Sequence, residues 1–136
     1  MKIRSGFVSN SSSSSFIIAF DQEPTKEYLK EILYNNKEII PFEYNYENDY
    51  TEFNTDELVD IIIEDIQPVS AEELMLQRLS DEYYDEEISY KAKFVADNKN
   101  KFIYEVKFCD NNGQIFCQLE HGGTFDNVKH VRFSHH

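Results

Sequence analysis

Apolar positions recur along the chain with three different spacings. Phe16-Ile-Ile-Ala-Phe20 is a continuous apolar run, which predicts a short buried strand. Asp21 to Pro24 reads as a turn. From Thr25 to Asn35 the spacing becomes helical: Tyr28, Leu29, Ile32 and Leu33 share one stripe, with Thr25 as N-cap. Ile39, Ile40, Phe42, Tyr44 and Tyr46 suggest an extended segment that Pro41 would confine to an edge or a strand start. A second helix opens on Asn54-Thr-Asp-Glu57, whose polar spacing fits a capping box. It buries Leu58, Val59, Ile62, Ile63 and Ile66 and is stopped by Pro68. A third opens on Ser70-Ala-Glu-Glu73 and buries Leu74, Met75 and Leu79.

From Ile88 onward a period of two fits the sequence. Ile88, Tyr90, Ala92 and Phe94 alternate with Ser89, Lys91, Lys93 and Val95, and Phe102, Tyr104, Val106 and Phe108 with Ile103, Glu105, Lys107 and Cys109. Asp97 to Asn100 and Asp110-Asn-Asn-Gly113 read as turns, the second a hairpin around Asn112-Gly113. Gln114 to Glu120 and Thr124 to Phe133 complete a set of four strands, with Gly122-Gly123 turning between them. The fold class expected is α+β: about three helices packed on a C-terminal four-stranded antiparallel meander, with a short N-terminal strand. Residues 1–15 are expected to be a flexible serine-rich leader and residues 16–136 a single domain.

Charge changes the picture in the middle of the chain. Between Asp21 and Tyr90 there are 21 acidic against four basic residues, a net −17, within a chain of net −13. Such a segment repels phosphate backbones, so direct nucleic-acid binding is not expected, whereas a protein with a basic surface is a favoured partner. Asp56, Glu57, Asp60 and Glu64 fall on one face of the second helix, and Asp81, Glu82, Asp85, Glu86 and Glu87 surround two tyrosines beyond the third. These nine residues are the candidate partner-binding set. A merely solvated, solubilising face is the competing reading. The 20 Phe and Tyr residues argue against disorder, because such chains lack the apolar surface to offset ordering entropy.

No apolar run approaches the roughly 20 residues that span a bilayer, and no secretion signal follows Met1-Lys-Ile-Arg4. Two cysteines do not make a disulfide scaffold, which with the absent signal points to a reducing cytoplasm. Cys109, Cys117, His121 and His130 form a nominal Cys2His2 set, but the spacings do not suit zinc, so half-buried strand thiols and no metal or cofactor are expected. Asp97 with Glu105-Val-Lys107 has the look of a metal-dependent nuclease pattern, in which carboxylates hold the ion and the lysine assists water. An exposed cross-strand charge pair would look the same. There is no phosphate-binding glycine loop, nucleophile elbow or paired-histidine helix, so no catalytic residue is assigned. His135 and His136 could be tag-derived.

Gly6-Phe-Val-Ser-Asn-Ser-Ser-Ser-Ser-Ser-Phe16 resembles an N-terminal signature of small uncharacterised proteins of bacteria and their phages. The resemblance covers residues 1–16; it implies an origin, and with it the cytoplasm of a bacterial host cell as the setting, and carries no activity. With the charge distribution it leads to the expected function, a non-enzymatic acidic inhibitor that mimics nucleic acid on a host protein. The alternatives are an assembly component docking through its serine-rich N-terminus and a metal-dependent nuclease-like enzyme.

Overall fold

The computed structural model describes residues 13–44, 49–80 and 86–135, and its described part is α+β with a four-stranded antiparallel sheet at the centre. In chain order the elements are β1 (Ser13–Phe20), α1 (Lys26–Tyr34), β2 (Ile39–Tyr44), β3 (Asp49–Asn54), α2 (Thr55–Asp65) and β4 (Gln67–Pro68). They continue with α3 (Ala71–Ser80), α4 (Glu86–Asp97), β5 (Phe102–Cys109), a 3-10 turn (Asp110–Asn112), α5 (Gln114–His121) and β6 (Lys129–His135). The sheet order is β4-β5-β1-β6, and β2 and β3 form a separate two-stranded hairpin. Residues 1–12, the greater part of the expected leader, lie outside the described residues. Ser13–Ser15 belong to β1, so the strand starts earlier than the apolar run alone suggests.

β1 occupies the centre because its run can be buried on both faces. Phe16, Ile18 and Phe20 enter the main core with Leu29, Leu58, Ile62, Val106, Phe108, Leu119 and Phe125. Ile17 and Ala19 point the other way and pack with Phe94 of α4, supported by Ile103, Val131 and Phe133. Helices therefore cover both faces of the sheet: α1, α2 and α5 on one side, α4 on the other. Register fixes which residues meet, setting Phe16 opposite Val106 on β5 and Arg132 on β6.

The three N-caps read from sequence are present. Thr25 Oγ1 accepts from the Tyr28 amide, Asn54 Oδ1 from the Asp56 amide at 2.8 Å and Ser70 Oγ from the Glu73 amide. Each satisfies a backbone donor that the first helical turn leaves without an intrahelical partner. Pro41 sits on the two-stranded hairpin, where its missing N–H disrupts no interior ladder. α2 ends at Asp65, before Pro68, which instead pairs with Tyr104 in the short β4.

The C-terminal meander is corrected. There are five helices among the described residues, and two of the four expected strands are helical. Ile88 to Phe94 lies in α4, where Phe94 is buried, Ile88, Lys91, Ala92 and Val95 around it are half-buried, and Tyr90, which alternation would have buried with Phe94, is exposed. Gln114 to Glu120 is α5, not a strand. Gly113, at φ 130° and ψ 171°, does not close a hairpin; it is the N-cap of α5, in a backbone region that glycine adopts most easily. Thr124 to Asn127 form a turn, and only Lys129 onward is strand. The expected burial of Met75 also fails: it is 64% exposed on α3, beside the buried Leu74. The meander's missing partner is β1, which inserts between β5 and β6. His135 closes β6 opposite Ser13.

Candidate functional site

The most unusual polar cluster in the main core is built by α5. Glu120 is 1% exposed, held there by its position on the inward side of the helix next to Leu119. A carboxylate taken out of water needs partners, since burying an isolated charge costs several kcal/mol even after relaxation. Ser14 of β1, itself buried, donates its hydroxyl to Glu120 Oε2 at 2.9 Å. Arg132 of β6 completes the arrangement: its Nε donates to Ser14 Oγ at 3.0 Å, its terminal nitrogen lies 3.9 Å from Glu120 Oε2, and its guanidinium carbon stands 5.7 Å over the Phe16 ring. The hydroxyl thus relays between a cation and an anion.

His121 follows directly on the helix. Its Nε2 lies 3.4 Å from Glu120 Oε1 and 3.7 Å from Asp110 Oδ2, and its Nδ1 lies 3.4 Å from the Arg132 terminal nitrogen. Asp110 is brought in by the 3-10 turn that leads into α5. Asp110, Glu120 and His121 each place one ligand-type atom within 4.8 Å of the others, the only such group of three among the described residues. Cys117, one turn before His121, is half-buried; burial first, then the negative charges of Asp110 and Glu120, push its thiol up to about 11. Cys109 and Cys117 are both free thiols, but they do not flank a hairpin: the first ends β5, the second is on α5.

The acidic set divides. Asp56, Glu57, Asp60 and Glu64 are all exposed on α2, as its spacing requires. Two of them are partnered by α1: Lys26 meets Asp60 at 2.8 Å, and Lys30 meets Asp56 and Glu38, each at 3.1 Å. Hydrogen bonds and charge from these carboxylates hold both ammonium groups above the ordinary lysine value. Glu86 and Glu87 open α4, Glu87 pairing with Lys91. Asp81, Glu82 and Asp85 lie outside the described residues.

On the opposite face of the sheet, Glu105 and Lys107 line a cleft of about 310 Å³ with Ser15, Asp65, Gln67 and Lys91. Lys91 bridges Glu105 and Glu87. Burial works against its charge, but the two carboxylates outweigh that and raise its pKa. Asp97, at the end of α4, does not line this cleft.

Sequence reading missed Ser14, Asp110, Glu120 and Arg132. Counting back by two from Phe16 puts Ser14 on the core face of β1. Glu120 becomes inward-facing only once residues 114–121 are read as a helix. No helix among the described residues is long and apolar enough to cross a membrane. No family model matches the chain, and neither a curated protein nor a solved structure matches it.

Proposed function

We propose that the chain is a non-enzymatic binding protein whose acidic helical face occupies a basic surface of another protein, of the kind that otherwise holds nucleic acid. The observation that carries this reading is α2: five carboxylates and no basic residue in eleven positions, with Asp56, Glu57, Asp60 and Glu64 exposed on one side. Carboxylates at i, i+4 stand about 6 Å apart, close to the spacing of phosphates along one strand. Lys26 and Lys30 do not cancel this face; they brace Asp60 and Asp56 against α1, and Glu57 and Glu64 stay exposed beside them. The serine signature's resemblance supports a bacterial or phage origin, and the charge distribution supports a partner with a basic surface.

The test uses the heparin-retained fraction of a bacterial lysate, which is enriched in proteins that hold polyanions. The immobilised chain should retain proteins from it, a DNA duplex should release them, and Glu57→Gln with Glu64→Gln should retain them less. Equal retention by the variant, with no release by DNA, would leave the acidic face a solvated surface only.

A further inference from the structure

The cluster formed by the 3-10 turn before α5 and the end of α5 has the composition and spacing of a metal centre. In a tetrahedral shell with bonds of about 2.0–2.2 Å, ligand atoms lie about 3.3–3.6 Å apart. Of the two edges from His121 Nε2, the one to Glu120, at 3.4 Å, falls in that range, and the one to Asp110, at 3.7 Å, is just outside it. The third edge, between the two carboxylates, is within 4.8 Å. One imidazole with two carboxylates suits a first-row divalent ion, whereas magnesium and calcium favour all-oxygen shells of six or more donors.

The surroundings fit as well. Glu120 is held from behind by Ser14, so the oxygen that faces His121 is Oε1 while Oε2 is engaged by the hydroxyl. Such an outer hydrogen bond is the usual support of a ligating carboxylate. Asp110 and His121 each keep 21% of the side chain exposed, which gives an ion a path from solvent. The Arg132 terminal nitrogen is shared between His121 Nδ1 at 3.4 Å and Glu120 Oε2 at 3.9 Å. When Nε2 ligates a metal, Nδ1 carries the ring proton, so Arg132 must give up the first contact and keep the second. Its positive charge also works against a cation, which sets the affinity below that of an all-anionic site.

We propose that Asp110, Glu120 and His121 bind one zinc-type divalent ion, leaving a fourth position open. The site lies on α5 and is separate from the acidic face of α2.

The experiment is calorimetric titration of the chain with zinc chloride. His135→Ala and His136→Ala are introduced first, so that terminal histidines do not compete. One ion per chain is expected with a Kd of about 1 μM or tighter. His121→Ala and Asp110→Asn should each weaken binding by at least about tenfold, the minimum expected for a group that touches the ion. Arg132→Gln should tighten it, the opposite of what a purely structural ion pair would do. Circular dichroism checks that each variant is folded; should His121→Ala not fold, Asp110→Asn, which keeps its size and is partly exposed, decides alone. Absence of stoichiometric zinc binding, or unchanged affinity in folded His121→Ala or Asp110→Asn, overturns the proposal.

Discussion

At the scale of single residues, the arrangement around Glu120 determines what substitutions do. Ser14→Ala removes a hydroxyl that bonds a buried carboxylate, a loss of about 1.5–3 kcal/mol measurable by urea unfolding. Arg132→Gln should cost about 3 kcal/mol, because the carboxylate stays buried without its cation. Glu120→Gln should cost less than Arg132→Gln, since the Arg132 side chain it leaves behind is 37% exposed and open to water. The reverse order would show that the carboxylate is not the group under strain. Cys117 reports the same electrostatics. With its pKa pushed up to about 11, its thiolate fraction at pH 8 is roughly 100-fold below that of a thiol at the ordinary 9.0. Its alkylation by iodoacetamide should be correspondingly slow and accelerate as pH rises toward 11. A rate equal to that of free cysteine at pH 8 would contradict the burial and the two nearby negative charges. The folded state favours the protonated thiol, so this contribution to stability is fully present below pH 9 and fades between pH 9 and 11.

At the scale of elements, legibility in the sequence followed the local signals. α1 and α2 were readable because cap, acidic first turn and apolar stripe agree, and Asn54→Ala should cost about 1 kcal/mol of stability. β1 was readable from its unbroken apolar run. α4 and α5 were not, because a period of two over four positions also repeats at i, i+4, and short apolar-polar alternations fit either element. For α4 the deciding features are Ala92, the Glu87–Lys91 pair one turn apart and the exposure of Tyr90, the last visible only in the fold. Ala92→Pro would break α4 at its middle and should cost about 3 kcal/mol or more; in a strand on a sheet edge it would cost far less. For α5 the Asn112-Gly113 pair pointed to a hairpin, yet Gly113's positive φ serves a helix cap. That one misassignment hid the candidate metal group, since only a helix turns Glu120 inward while His121 keeps contact with Asp110.

At the scale of the whole molecule, the sheet separates two polar regions: the Glu120 cluster lies on the α5 side, and the Lys91–Glu105 cleft on the α4 side. The acidic face of α2 belongs to neither. It was legible in the sequence as composition and spacing, whereas its bracing by Lys26 and Lys30 required the packing of α1 on α2. That bracing changes which variants are informative. Asp56→Asn with Asp60→Asn breaks contacts between the helices and should lower the melting temperature slightly. Glu57→Gln with Glu64→Gln leaves those contacts intact and should change it little, relief of like-charge repulsion offsetting the loss of one first-turn acid. The most direct test of the acidic-face function is the rate at which the chain associates with a protein captured from the heparin-retained fraction, followed by surface plasmon resonance at about 20 and about 150 mM salt. Screening shortens the reach of charge from about 20 Å to about 8 Å over that range. A steep fall in the association rate is expected for the wild-type chain and a shallower dependence for the Glu57→Gln, Glu64→Gln variant. Equal rates at both salt concentrations, with the variant matching the wild type, would contradict it.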